Sequence, residues 1–531
     1  MINKKKIHLR KISFHPVTMF IVLTLLVMLL SSVLSFLQIQ ANYSKINTSG
    51  NLESVLVVVE NMFNYEGFKY LISNAAKNFA SFTPLSTLLI ALIGLSVAHA
   101  SGFIDTFIKK RTLKINNKVI TFFIIFIATI SSIINEVGYV ILIPLSALIF
   151  LANGRNPLLG IVASYSGVAF GYGVSIFAGS AEINLIPYTE QAARLIDNTY
   201  HVSILSNLII IIISSIVLSI VGTYVIERII SNKIGKYRIL SDEKDSVTKE
   251  IRLSDVVEEE QKRLEEEAME KKGLRNAMIT FIIFILLFIY MLIPGLPLSG
   301  LLLDMNEKAY IRQLFGENAY FQEGFTFLIS ILFLVIGIAY GIGAKSIKSD
   351  KDLIDKVAVY LKDTGYLFVL IFFASQFIAV FKKTNIGTVI VAFSSETIRN
   401  LPFGGLPLII TILILMAISG FFVTTQISKW SIFAPTVVPL LMQNNISPQF
   451  AQFIFRAADS MAKGFTPLLA YFVIYLGYLN VYNTEKEPVT IKKALSFVSP
   501  YFLIIGFTWI MIVALTYIIG IPIGPGISPV L

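Results

Sequence analysis

Residues 424–467 read TTQISKWSIFAPTVVPLLMQNNISPQFAQFIFRAADSMAKGFTP and stand between strongly apolar segments. The stretch carries Gln426, Lys429, Trp430, Arg456, Asp459 and Lys463, with prolines at Pro435, Pro439, Pro448 and Pro467. Hydrocarbon offers backbone polar groups no partner, so such a stretch is stable at membrane depth only where protein or a water-filled cavity surrounds it. The chain is therefore expected to be an all-α polytopic membrane protein with a broken, polar interior site. Of its 531 residues 55% are hydrophobic and 14% charged, against about 25% charged in soluble domains, which excludes a soluble enzyme. There is no cysteine, and His8, His15, His99 and His201 are too scattered for a zinc motif. The formal charge of +10 comes from basic residues beside apolar segments. That pattern sets orientation in a bilayer and gives no reason to expect nucleic acid.

In chain order, residues 17–39 are long enough to cross a hydrocarbon core of about 30 Å, and the basic run before them predicts a cytoplasmic N-terminus. Residues 40–82 are mixed and expected outside, with an amphipathic surface helix over 68–82. Residues 84–104 return to the basic loop 109–118. The apolar block 119–152 is interrupted by SSIINEVGY at 131–139, which predicts a re-entrant hairpin or broken helix. Pro157 is placed to start a new helix, rich in glycine up to Gly179 and followed by Glu182. After a span at 202–226, residues 227–275 are hydrophilic and predict a solvated cytoplasmic helix, dividing the chain into halves 1–226 and 276–531. The second half has apolar segments at 277–293, 325–342, 357–381, 403–423 and 494–519, with a second hairpin near 424–447.

An internal repeat is visible. SSIINEVGYVILIPL with NGRNPLLGIVASYSGVAFG parallels TTQISKWSIFAPTVVPL with NNISPQFAQFIFRAADSMAKG. Each has a polar tip, an apolar arm with a proline, a polar turn and a helix with small and polar residues. Paired broken helices in opposite halves point to a transporter site between inverted repeats.

Within this frame the polar residues have two readings each. Arg456 and Asp459, three apart, either form an intrahelical ion pair or contact an anionic substrate and a coupling ion. Asn135 and Asn385, in the tips IINEVG and KKTNIG, either cap helix ends or donate to a substrate carboxylate beside carbonyls that bind sodium. They are the candidate metal ligands. Glu136, Glu182 and Asp459 are candidate ion-coupling acids, although Glu182 also reads as an exposed loop residue. Lys429 is expected to reach water. Trp430 is a packing anchor or holds a planar ring. Gly138, Pro439, Pro448 and Pro467 mark hinges.

FHPVTMF (14–20), GYVILIPL (138–145), NGRNPLLG (153–160), ASQFIAVF (374–381), KWSIFAPTVVPL and FRAADS resemble the AbgT family of p-aminobenzoyl-glutamate transporters, in chain order over nearly the whole length. The resemblance implies a homodimeric inner-membrane elevator-type carrier with about nine transmembrane helices and two re-entrant hairpins. It also implies a proton or sodium gradient as driver, no cofactor, and p-aminobenzoyl-glutamate-like or sulfonamide-like substrates. By motif, the family's functional positions fall on Asn385, Trp430, Pro448, Arg456, Asp459 and Pro467. The chain departs from the family at Asn135, Glu136 and Val137, at Val174 and Ser175, at Glu182 in place of an aspartate, at Ile427 in place of a serine, and at His99 in place of a glutamate. These departures leave open a carrier of the same architecture for a different carboxylate or amino-acid conjugate. An amide-hydrolysing enzyme lacks a nucleophile–base constellation here.

Overall fold

The computed structural model describes residues 14–47, 50–112, 115–134, 136–235, 237, 253–316, 319–362 and 364–531. The basic run at the N-terminus and Asn135 lie outside the described residues. Helix α1 (Pro16–Phe36) starts on its proline, and the His15 ring accepts from Val17 N. Its 21 residues reach about 31 Å at 1.5 Å per residue. Next come two antiparallel strands, β1 (Gln40–Ile46) and β2 (Leu52–Val58), with Ala41 opposite Val57. This hairpin was not expected in an otherwise helical protein. Its alternation is broken by polar residues on both faces, so period two is faint. It is followed by α2 (Tyr65–Ala80), capped by Asn64, whose side chain accepts from Gly67 N. This helix covers most of the expected surface helix.

Helix α3 (Thr83–Ala100) and α4 (Phe103–Thr112) lead to the first broken unit. There α5 (Asn117–Ile130) ends in a tight turn at Ser131–Ile134, α6 (Val137–Ala152) follows, and Pro157 opens α7 (Pro157–Phe170). The backbone then leaves helical geometry until α8 (Ser180–Ala193). Helix α9 (Leu208–Val225) runs through one wide turn at Ile226–Ile230 into α10 (Ser231–Ile234). The charged run and the next apolar segment form a single 40-residue helix, α11 (Leu253–Leu292). After it come α12 (Tyr310–Phe315), α13 (Tyr320–Gly343), α14 (Asp350–Lys362) and α15 (Gly365–Lys383).

The second broken unit has α16 (Ile386–Arg399), α17 (Gly405–Gly420), α18 (Gln426–Gln443), α19 (Pro448–Lys463) and α20 (Phe472–Val481), and α21 (Ile491–Ile519) closes the helical part. The two units share a plan. Helices α5 and α6 both pack along α7, as α17 and α18 both pack along α19. Each unit also reaches into the other, α8 against α18 and α20 against α6. Outside this pair, α13 packs on α3 and α11, brought close because Gly94 has no side chain where it meets the Ser330 backbone.

Among the described residues, eight helical stretches are long and apolar enough to cross a membrane. Four further apolar helices, Val137–Ala152, Pro157–Phe170, Gly405–Gly420 and Phe472–Val481, have between 10 and 17 residues. At 1.5 Å per residue they fall short of a hydrocarbon core about 30 Å thick. They are held by protein instead. All of α7 but Leu158 is buried, and so is every residue of α19.

Candidate functional site

The site is organised on α19. Pro448 starts this helix and the Ser447 hydroxyl caps it, accepting from Phe450 N. Arg456, Asp459 and Lys463, spaced three and seven apart, fall within an arc of roughly 60° on a helix of 3.6 residues per turn. A buried helix with such a stripe needs a partner for each charge. Three different elements supply them. Arg456 Nη1 meets Glu182 Oε1 of α8 at 2.5 Å, Asp459 Oδ1 meets Lys429 Nζ of α18, and Lys463 Nζ stands 3.7 Å from Glu136 Oε1 at the first unit's tip.

These partners correct three expectations. Arg456 and Asp459 do not pair with each other, because each finds an opposite charge on a neighbouring helix. Lys429 does not reach water. It is fully buried with Asp459, at the place where α18 runs past Gly420, and the tip beside it is tied down by Thr466, whose hydroxyl donates to Phe421 O at 2.8 Å. Glu182 is no exposed loop residue. It lies in the first turn of α8, where a helix N-terminus favours an acid, and it is buried.

A hydrogen-bond chain extends from the Arg456 pair. Gln452 Nε2 donates to Glu182 Oε2 at 2.9 Å, Gln452 Oε1 is 2.5 Å from the Thr189 hydroxyl, and Trp430 Nε1 donates to that hydroxyl at 2.9 Å. The Trp430 ring stacks on Phe455 with centroids 4.7 Å apart. Sequence spacing could not show Gln452 and Thr189 as members of this chain, because they are 263 residues apart.

A cavity of about 530 Å³ opens where the breaks of the two units face each other. This is within the usual range for small-molecule sites. Its polar wall includes Glu136, Asn184, Asn385, Gln426 and Lys463, and its apolar wall includes Phe82, Phe422 and Tyr471. The Lys463 ammonium also lies 3.0 Å above the Tyr172 ring centroid, a cation–π contact. Asn385 sits at φ +59° between α15 and α16, and its amide is 3.4 Å from both Val58 O and Glu60 Oε1. Glu60 also pairs with Lys383 at 2.9 Å, so the β-hairpin fastens this tip. Of the expected site residues, the structure brings Glu136 and Asn385 to the cavity, while Trp430, Arg456, Asp459 and Glu182 stand behind its wall. His99 lies on α3, 3.9 Å from Asp105. Pro439 lies inside α18, Pro467 lies in the break after α19, and Gly138 lies in the first turn of α6 against Ser131 and Val168. Lys463 is the residue sequence reasoning left without a role. The signal was its seven-residue spacing from Arg456.

The break between α7 and α8 crosses α19 closely. A β-carbon at Gly173 would stand 2.5 Å from Ser460 Oγ and 2.6 Å from Arg456 O. The backbone contact cannot rotate away, so Gly173→Ala is expected to cost about 1–3 kcal/mol by overpacking. A lowered unfolding midpoint of the detergent-solubilised protein checks this.

Comparison with known proteins shows the family to which the chain belongs. The AbgT putative transporter family model matches residues 11–531. The p-aminobenzoyl-glutamate transport protein of Escherichia coli (strain K12) is 30% identical over 515 residues, covering 97% of this chain and 94% of that protein. Among solved structures, the YdaH transporter of Alcanivorax borkumensis is 23% identical with a TM-score of 0.47, covering 96% of this chain and 100% of that one. MtrF of Neisseria gonorrhoeae, described with a class of antimetabolite efflux pumps, is 28% identical with a TM-score of 0.46, covering 97% and 98%. The family match over nearly the whole length, together with the Escherichia coli relative, carries the assignment: this chain belongs to the AbgT family of multi-pass membrane transporters and is not an enzyme.

Proposed function

We propose that the chain is an ion-coupled secondary transporter of p-aminobenzoyl-glutamate-like or sulfonamide-like small molecules, and that the cavity between the two broken units is where the cargo sits. The observation that carries this reading is the position of the cavity. It lies where the breaks of both units meet, and it combines apolar aromatic wall with Glu136, Asn385, Gln426 and Lys463. The named Escherichia coli relative supports the substrate class. Proton or sodium is the proposed coupling ion. Glu136 is the acid on the cavity wall, whereas Glu182 and Asp459 are sealed behind it with Arg456 and Lys429. Asn385 and nearby carbonyls are the proposed sodium ligands. The basic loop 109–118 supports a cytoplasmic face for that side and for the N-terminus, in the inner membrane of a bacterium. A homodimer working by an elevator motion is the arrangement the family resemblance favours. A different carboxylate or amino-acid conjugate is the second reading, favoured by the Glu136–Lys463 pair on the cavity wall.

The test is flux into proteoliposomes of p-aminobenzoyl-glutamate and a sulfonamide, under imposed proton or sodium gradients. Accumulation against the solute gradient is expected for one of them, driven by one of the two ions. No gradient-dependent flux of either compound rejects the substrate assignment, and a panel of other carboxylates in the same vesicles then tests the second reading.

A further inference from the structure

Three ion pairs line up along α19, and they are not equivalent. The pairs of Arg456 and Asp459 are sealed, with all four side chains 2% exposed or less. The third is open. Lys463 is 2% exposed but its partner Glu136 is 32% exposed, and the two are 3.7 Å apart, beyond ordinary hydrogen-bond length. Both lie on the cavity wall. A second feature is Gln426, which lines the same wall; it is only 7% exposed, and its buried amide nitrogen has no hydrogen-bond partner among the described residues. Gln426 is also the first residue of α18, an 18-residue helix whose N-terminus has no side-chain cap among the described residues. Uncapped first-turn N–H groups and the helix dipole favour a negative charge.

We propose that Lys463, the Gln426 amide and the N-terminus of α18 form a carboxylate subsite, with Glu136 as the built-in anion that an incoming carboxylate displaces. This rests on the cavity being the cargo site, and it names the part that recognises negative charge. The physical reason is charge conservation inside protein. A buried ammonium left alone is costly, but exchange of one carboxylate for another keeps Lys463 paired throughout. Glu136 can leave because it already faces the cavity, whereas Glu182 and Asp459 have nowhere to go. The Tyr172 ring holds Lys463 in place during the exchange. Lys382 also lines the cavity but is solvent-exposed, where a single ion pair contributes little. Arg456, for which contact with an anionic substrate was one of two readings of the sequence, is already committed to Glu182.

Binding of p-aminobenzoyl-glutamate and of its uncharged diamide to the purified full-length protein tests the subsite. Lys463→Gln is expected to weaken the acid by roughly tenfold to hundredfold, the scale of a charge-assisted contact, and to leave the diamide within about twofold. Glu136→Gln, which removes the competing anion, is expected to tighten the acid. The double variant Lys463→Gln/Glu136→Gln keeps the interior neutral, so it separates loss of binding from misfolding. Equal loss of acid and diamide, or no loss of either, overturns the proposal. A second measurement needs no cargo. The natural chain has no cysteine, so Ile427→Cys, on the same wall, gives a lone thiol whose reaction rates with anionic and cationic methanethiosulfonates report local charge. The anionic-to-cationic ratio is expected to fall with Lys463→Gln and rise with Glu136→Gln, and an unchanged ratio overturns the subsite. If the ratio shifts while p-aminobenzoyl-glutamate does not bind, the substrate assignment fails and the anion subsite stands. If that compound binds and is transported but is indifferent to Lys463→Gln, the reverse holds.

Discussion

Asp459→Ala is expected to lower folding stability by roughly 3–5 kcal/mol, because it leaves the Lys429 ammonium buried and unpaired. Both side chains of this pair have no exposure at all, so solvent cannot replace the lost partner. Removing both charges at once should behave differently. In Lys429→Met/Asp459→Leu no charge is stranded, and substitution of a buried pair by apolar groups of similar size is commonly neutral or stabilising. The expected result is a large loss of unfolding midpoint for the single variant and recovery of most of it in the double variant. Flux by the double variant then separates two roles. A stable protein that no longer transports gives the pair a part in the transport cycle, and a stable protein that transports normally gives it only a part in the fold. A single variant as stable as the parent would contradict the buried pairing itself.

Trp430 is expected to be nearly as sensitive. It is fully buried, stacked on Phe455 and bonded to Thr189, so Trp430→Ala removes a large side chain from a dry interior, at about 3–5 kcal/mol. Trp430→Phe keeps an aromatic ring against Phe455 and loses the indole donor, at about 1 kcal/mol. Both should appear as shifts in thermal unfolding. The Phe variant should leave the affinity for any bound aromatic cargo unchanged, since Trp430 lies behind the cavity wall. A changed cargo affinity with unchanged stability would place the ring in contact with the cargo instead.

Much of the architecture is legible along the chain, for reasons of local physics. Pro157 and Pro448 start helices because a proline at the first position loses nothing. The apolar lengths announce the spans, and polar tips at matching places in two halves announce the breaks. Pairing across the interior is another matter. The three-residue spacing of Arg456 and Asp459 offers an intrahelical bond as one reading, but Glu182 lies 274 residues from Arg456 and Lys429 lies 30 from Asp459. Spacing rules reach one or two helical turns, whereas these contacts are set by how α8, α18 and α19 come together. Lys429 misleads for the same reason. A long amine at a helix start normally finds water, and nothing local reveals that another helix places a carboxylate there. The strands β1 and β2 were hidden by composition, since Lys45, Glu53 and Ser54 interrupt the alternation that marks a half-buried strand.

The unbroken helix α11 has a mechanical consequence. Forty residues make a rod of about 60 Å, roughly twice the thickness of the hydrocarbon core. About half of it is therefore a lever outside the bilayer. A tilt of about 10° in the membrane half swings the far end sideways by about 10 Å for a rod of that length. Lys110 of α4 meets Glu270 of α11 at 2.8 Å, and the packing of α13 on both α11 and α3 joins its base to the frame. Movement of that frame would thus be magnified at a charged arm on one side of the membrane, where a distance probe can register it without touching the transport path.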